Sequence, residues 1–219
     1  MPNPIEVTNK LNECVALLRR YAASKYGATC DRRLLSEFHG RLVKLQFAYA
    51  RIAELAPASM EAAYQMAGWR VDKLTGKIIE KFDPTANRND MVAIDRVLRI
   101  ESELFILTEW FYHTAWRLRE IAHPKVCALP GLCGLEAIGV RDVRNQILQH
   151  PEKFDLNRQT QSTGVSDDAG PMLGNAFWES PAKPFNDRGL YYNALEFAEN
   201  LRAKLNAAIE VSPIATNDV

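Results

Sequence analysis

Residues 90–122 read DMVAIDRVLRIESELFILTEWFYHTAWRLREIA and form the longest stretch of the chain with apolar side chains at helical spacing. Residues three and four positions apart share one face of an α-helix, so this period predicts a helix with a buried face. The stripe comprises Ile94, Val97, Leu98, Glu101, Leu104, Phe105, Thr108, Phe111, Ala115 and Leu118. Further apolar residues widen it, so several neighbours must cover it. The stretch therefore predicts the central helix of an all-α bundle.

Two stretches before this helix show the same period. The first covers about residues 5–25, and Gly27 is expected to end it. The second begins after Asp31 and is expected to stop at Pro57, because proline lacks the backbone N–H that a continuing helix uses. A short link between two helices predicts an antiparallel pair.

Two more helices are predicted, a short one over residues 60–67 and a final one over 187–210. Residues 155–187 are rich in Asn, Asp, Ser, Gly and Pro without periodicity, which is typical of a long loop or lid. Residues 212–219 form a polar tail. The prediction is an up-and-down helical bundle forming a single domain over 1–219.

Residues 69–82 are the one candidate for β-structure. A turn containing Gly76 separates two short runs of β-branched and aromatic residues, which favours a hairpin. Ile78, Ile79 and Phe82 also fit a helical face, so a helix is the alternative.

Composition excludes several classes of protein. The 27 basic and 27 acidic side chains cancel, so a nucleic-acid partner requires a local basic patch. No stretch reaches the ~18 apolar residues of a membrane span, and the N-terminus does not resemble a secretory signal. The four cysteines show no metal-site spacing and are interpreted as reduced thiols. Reduced thiols and the lack of a secretory signal predict a cytoplasmic protein, and the lack of an apolar span predicts that it does not enter a membrane.

Residues 123–134 form a loop with two prolines and two glycines. Its apolar residues are expected to fold back onto the bundle, namely Val126, Leu129 and Leu132. Another helix should follow from about residue 135 to His150, because Pro151 disfavours the α conformation of the residue before it. On this helix Val140, Val143, Ile147 and His150 share one face.

The segment Arg144-Asn145-Gln146-Ile147-Leu148-Gln149-His150 resembles the motif of the HEPN superfamily (higher eukaryotes and prokaryotes nucleotide-binding). That motif is an Arg followed by four to six residues and a His, often with a polar residue directly after the Arg. The resemblance implies a small helical bundle with the motif on a late helix, and a dimer in which two Arg and two His meet. It also implies metal-independent ribonuclease activity, an RNA or nucleotide ligand, and an antitoxin or regulatory protein as partner. Arg144, Asn145 and His150 are the catalytic candidates.

The chemistry of these residue types is consistent with RNA cleavage. A histidine near neutral pKa can take the 2′-hydroxyl proton, and a fixed arginine can stabilise charge on the phosphate. Arg144 and His150 point about 120° apart on one helix, from a step of about 100° per residue. A symmetric dimer solves this problem by presenting the Arg of one chain beside the His of the other. Arg141 either extends the anion-binding face or is an ordinary exposed residue.

A second reading of the same residues involves no catalysis. His150 can be a histidine at the core edge, hydrogen-bonded at a helix C-terminus where the dipole favours its cation. The chain is then a helical module that acts by dimerisation and association with other proteins.

Glu101 lies within the apolar stripe of the central helix. A buried carboxylate without a partner is costly, so Arg144 or Arg141 is a candidate partner and Glu101 a supporting residue of the site. The alternative is a Glu at the edge of the stripe that reaches solvent.

Two other spacings, Glu109-x-x-x-His113 and Glu120-x-x-His123, occur in metal-binding bundles. A di-metal site requires two Glu-x-x-His motifs and two further inward acids, and only one such motif is present. We therefore expect no metal and no cofactor. Trp110, Phe111, Tyr112 and Trp116 resemble an aromatic box, and we interpret them as core residues.

Overall fold

The computed structural model describes residues 4–66, 69–71, 78–81, 91–125, 128–136, 140 and 189–212. These residues contain five helices and two short strands. The helices are α1 (Pro4–Ala22), α2 (Lys25–Thr29), α3 (Arg32–Met66), α4 (Met91–Ile121) and α5 (Gly189–Val211). The strands are β1 (Trp69–Val71) and β2 (Ile78–Lys81). The prediction of an all-α bundle is confirmed.

The bounds of helix α4 fall within a residue of those expected from the sequence. Its predicted central position is not confirmed: among the described elements α1 contacts both α3 and α5, whereas α4 packs extensively against one helix only, which is α3. The two run antiparallel, since Arg51 of α3 bonds Glu103 and Tyr49 contacts the later Phe111. Side chains from all four long helices form one core cluster, which includes Leu18, Phe38, Leu42, Phe111, Leu118, Phe197 and Leu201.

Helices α1 and α5 run parallel to each other. Lys10 of α1 pairs with Glu199 of α5 at 3.0 Å, and Glu13 accepts from Arg202 at 3.1 Å. Helix α3 returns along α1, and α4 is antiparallel to α3. The end of α1, the start of α3 and the ends of α4 and α5 therefore lie at the same end of the bundle.

The first helix ends earlier than predicted, at Ala22 instead of near Gly27. Ser24 lies in extended conformation, and its hydroxyl accepts from the Gly27 amide at 3.3 Å, so it caps a new helix, α2. Gly27 does not adopt the left-handed conformation of a helix terminus. It lies inside α2, where a Cβ would come within 2.2 Å of the Tyr21 carbonyl oxygen, so close packing explains the glycine.

The prediction that a helix stops at Pro57 is wrong. Helix α3 continues through this position to Met66 and includes the region predicted as a separate short helix. Proline removes one backbone donor in a 35-residue helix, whereas packing along α4 favours its continuation.

The hairpin predicted over residues 69–82 is confirmed in its two strands. They pair antiparallel, with Trp69 opposite Lys81, Arg70 opposite Glu80, and an irregular register between Arg70 and Val71. A pair of strands this short depends on its neighbours for stability.

The loop after α4 folds back onto the bundle as predicted, and Leu129 and Leu132 are fully buried. Gly131 and Gly134 have φ values of +80° and +72°, a backbone conformation that favours glycine. Cys133 belongs to a disulfide, whereas Cys14 and Cys30 are free. The expectation of four reduced thiols is therefore wrong for Cys133. Disulfides persist in oxidising surroundings, so the cysteines no longer support the prediction of a cytoplasmic location.

The final helix is confirmed as α5, and the chain after it is attached to the bundle for at least one residue. Ser212 was expected in the polar tail, but it is buried. Its hydroxyl accepts a hydrogen bond from the Tyr26 amide at 2.8 Å, which holds this residue against the bundle. Residues 155–187 and 213–219 lie outside the described residues. Among the described helices, none has the length and apolar content needed to cross a membrane.

Candidate functional site

The predicted motif itself lies outside the described residues. This applies to Arg141, Arg144, Asn145 and His150. Val140 is described, has helical backbone and is 1% exposed. Val140 therefore packs inward, as expected for the first residue of the predicted apolar face.

The chain that leads to the motif is held against α5. Lys204 donates to the Cys133 carbonyl at 2.8 Å, and the Asn200 amide donates to the Glu136 carbonyl at 3.5 Å. Leu135 between them is buried. These contacts place the start of the motif segment beside the second half of α5.

Glu101 lies in the described backbone of α4, but its side chain lies outside the described set. Its pairing with Arg144 or Arg141 remains a prediction. Two residues later, Glu103 accepts a hydrogen bond from Arg51 of α3 at 2.7 Å. This ion pair shows that Glu103 lies on the edge of α4 that is next to α3.

Two sets of cations contrast among the described residues, and five others, Lys44, Arg96, Arg119, Lys125 and Lys204, lie outside both sets without an acidic partner within 4.0 Å. The first set lies on the long faces of α1, α3, α4 and α5 and pairs with acids within 4.0 Å, namely Lys10, Arg41, Arg51, Arg99, Arg117 and Arg202. The second set lies where α1, α2 and α3 meet, and we refer to it as the basic corner: Arg19, Arg20, Lys25, Arg32 and Arg33. All five are exposed, and no described acid pairs with them.

The basic corner is rigidly attached to the core. The Tyr21 hydroxyl lies 3.3 Å from the Cys30 sulfur and donates to the Pro130 carbonyl at 2.9 Å. Asp31 accepts from the Arg33 amide at 2.8 Å and so caps α3. Burial raises the pKa of Tyr21, so its hydroxyl stays protonated and serves as a fixed donor.

The residues considered for a metal do not gather. Glu120 pairs with Arg117 on the same helix, and Nδ1 of His123 accepts from the Lys125 amide at 3.3 Å. His113 is exposed. No three His, Cys, Asp or Glu side chains of the described residues are arranged to hold a metal ion.

The polar side chains of the core serve packing. Asn193 of α5 donates to the Tyr112 hydroxyl at 2.9 Å, and both residues are buried. Burial raises the pKa of Tyr112, and burial also raises the pKa of Cys14 to about 12. The Cys14 thiol donates to the Ala198 carbonyl and is neutral at physiological pH, so it lacks the thiolate character of a nucleophile.

A group of exposed apolar side chains lies on the α3–α4 pair, and we call it the apolar surface: Val43, Phe47, Ile106 and Trp110. Phe47 is 63% exposed and Trp110 is 56% exposed, so the interpretation of Trp110 as a core residue is wrong. Phe47 lies one turn before Arg51, and Ile106 one turn after Glu103. Because the helices are antiparallel and this ion pair joins them, both side chains lie along the same edge of the pair.

Sequence reasoning missed both the basic corner and the apolar surface. Residues 19–33 contain five cations and one acid, so a local charge count was a visible signal for the corner. Trp110 gave no such signal, because its position on a wide apolar stripe is the same whether or not a neighbouring helix covers it.

Comparison of the chain with protein-family models, with curated proteins and with solved structures finds no match.

Proposed function

We propose that this chain is a HEPN-like helical protein that binds RNA and cleaves it without a metal ion, in a defence or toxin–antitoxin setting. The observation that carries the proposal is the motif Arg144-Asn145…His150 in a chain whose described part is an all-α bundle. The motif follows a buried helical position, Val140, which supports a helix at the start of this segment.

In the proposed reaction, His150 takes the proton from a ribose 2′-hydroxyl, whose oxygen attacks the adjacent phosphorus. The bond from phosphorus to the 5′-oxygen breaks, a 2′,3′-cyclic phosphate forms, and the leaving 5′-oxygen takes its proton from water. Arg144 stabilises the negative charge that develops on the phosphate oxygens, and Asn145 and Arg141 bind the backbone. Since one helix directs Arg144 and His150 apart, the proposal requires a homodimer that combines the Arg of one chain with the His of the other.

The experiment is an RNA cleavage assay in the presence of EDTA. We expect His150→Ala and Arg144→Ala each to lower the cleavage rate by about 10²–10⁴-fold. His113→Ala is the matched control, because His113 is an exposed histidine on α4 outside the motif, and it should cleave like the wild type. Equal cleavage by all the variants, or none by the wild type, would reject the enzyme.

A second candidate function, association without catalysis, is favoured by the apolar surface. Aromatic side chains exposed this far are typical of interfaces. We propose a second copy of the chain as its occupant. Arg51 and Glu103 lie beside this surface and carry opposite charges, so a two-fold axis can place Arg51 of one chain beside Glu103 of the other. The net charge of the chain is zero, so two copies do not repel each other at long range. An antitoxin or regulatory protein would then bind the assembled dimer.

A further inference from the structure

We propose that the basic corner is the surface on which the RNA backbone docks, which rests on the proposed function. It lies at the junction of α1, α2 and α3, and the segment that leads to the motif is attached to the same end of the bundle. The inference gives the RNA a binding surface apart from the catalytic candidates.

The contrast in ion pairing is the first support. Arg19, Arg20, Lys25, Arg32 and Arg33 give residues 19–33 a net formal charge of +4, in a chain whose net charge is zero. Of the other eleven cations whose side chains are described, six have an acidic partner within 4.0 Å, against none of the five in the corner. Exposed cations without such partners attract phosphates and release counterions when they bind them.

Helix electrostatics explains only part of this arrangement. Arg19 and Arg20 lie in the last turn of α1, where the helix dipole favours cations. Arg32 and Arg33 lie in the first turn of α3, where the dipole disfavours them, and the nearest acid is Asp31, which caps the helix. The single Asp31 carboxylate faces two arginines at this helix end, so an external anion would add to its effect.

The neighbouring loop extends the positive surface. The Tyr21–Pro130 hydrogen bond joins this loop to the corner, and the loop contains the exposed Lys125. Lys204 bonds a carbonyl of the same loop, so its charge also remains without an acid. A strand of RNA that follows the corner can thus continue along the loop towards the segment that begins the motif.

The corner is better suited to a nucleic acid than to a lipid surface. Proteins that lie on membranes combine cations with apolar anchors. Within residues 19–33, none of the large apolar side chains is exposed. Val211, at the adjoining end of α5, is a single exposed apolar residue and gives little anchorage.

The test measures binding of a fluorescent single-stranded RNA by anisotropy at several salt concentrations. All proteins carry His150→Ala so that the RNA stays intact. The variant replaces Arg19, Arg20, Arg32 and Arg33 with Gln. We expect binding at least tenfold weaker, and a salt slope smaller by up to about 2.8, from about 0.7 per phosphate contact on single strands.

Two controls separate charge at the corner from charge elsewhere and from folding. Lys44→Gln with Arg96→Gln removes two exposed cations without acidic partners. Arg119 lies in the last turn of α4, at the same end of the bundle as the corner, and Arg96 lies about 35 Å from it along the helix at about 1.5 Å per residue. This variant should bind within about twofold of the parent. Replacing the same four corner arginines with Lys keeps the charge and should preserve binding.

The outcomes distinguish this inference from the proposed function. If the chain with His150 intact cleaves RNA and the four Gln substitutions leave KM unchanged, the corner is excluded while the ribonuclease stands. If no RNA is cleaved but binding depends on the four arginines, the corner stands and the ribonuclease falls. Binding to vesicles containing anionic lipid but not to RNA, or equal loss in the Lys44/Arg96 control, would overturn the inference.

Discussion

Two glycines in the loop after α4 share a left-handed backbone but differ in their surroundings. A Cβ at Gly131 would come within 2.6 Å of the Ala208 Cβ, whereas at Gly134 its nearest neighbour would be the Pro124 side chain at 3.7 Å. Gly134→Ala should therefore cost only the backbone term, about 1–2 kcal/mol. Gly131→Ala should cost more, because α5 must also move. Urea unfolding of both variants measures the difference.

Equal losses of stability at the two glycines would contradict the contact between the loop and α5. A double variant, Gly131→Ala with Ala208→Gly, tests the same contact from the other side. It should be less destabilised than the sum of the two single changes, because the second substitution removes the atom that clashes.

Cys14 gives the fold a dependence on alkaline pH. Burial raises the pKa of its thiol from 9.0 to about 12, so the unfolded chain ionises first. The stability from the neutral thiol is fully present below about pH 9 and is lost as the pH rises from 9 towards 12. Between about pH 8 and pH 10 the loss should be about 1 kcal/mol.

Unfolding of Cys14→Ala across the same pH range measures this contribution. The lost packing lowers stability at every pH, so only the change with pH is compared. The variant should lose less stability between pH 8 and pH 10 than the wild type. Identical pH dependences would show that Cys14 ionises as readily in the folded chain as in the unfolded one.

Helix α3 allows a prediction at the scale of the element, because it continues through Pro57. In an uninterrupted helix the amide at this position would bond the carbonyl of Ala53. Pro57→Ala should restore that bond and stabilise the protein by about 1–3 kcal/mol. Thermal unfolding measures the change, with Pro124→Ala as the control, since Pro124 lies outside the helices. No gain at position 57 would instead support a helix that ends there.

The elements that sequence predicted best are those whose apolar period is long. The bounds of α4 and α5 were predicted within about two residues, since a buried face repeated over many turns outweighs any single residue. Gly27 and Pro57 misled the prediction because each was interpreted by its local preference. Gly27 is explained by its close packing against Tyr21, and at Pro57 the helix continues although one backbone donor is missing.

The candidate site was less predictable for a related physical reason. Whether a cation is paired depends on which helix lies beside it, as in the pairing of Arg202 with Glu13 across 189 positions of sequence. The local charge of residues 19–33 could be counted, but their lack of acidic partners required the fold. The motif at Arg144 and His150 was found from sequence alone, and its placement remains a prediction.

At the scale of the whole molecule, zero net charge conceals an uneven distribution. The paired charges lie along the helices, whereas five exposed cations without acidic partners gather where α1, α2 and α3 meet. Attraction of a polyanion to this end should therefore depend strongly on salt, while the protein as a whole has no net field. The apolar surface lies on the α3–α4 pair and is available to a different partner.

The final prediction concerns assembly through the apolar surface. Phe47 and Trp110 together expose a large aromatic area, so a second copy covering them would bury the kind of side chain that dominates interface energies. Phe47→Glu with Trp110→Glu should convert a dimer to a monomer in sedimentation velocity, because buried carboxylates without partners are costly. Ile5→Glu with Val211→Glu is the control, since both side chains are exposed on α1 and α5, outside the α3–α4 pair.

The dependence of activity on assembly then separates the two proposed functions. If cleavage combines Arg144 of one chain with His150 of the other across this interface, the monomeric variant should lose cleavage while keeping its fold and its affinity for RNA at the basic corner. Mixing His150→Ala with Arg144→Ala chains should restore part of the activity, since some mixed dimers contain one intact pair. A variant that remains dimeric would exclude the apolar surface as the interface, and a monomer that cleaves at full rate would exclude a site shared between chains.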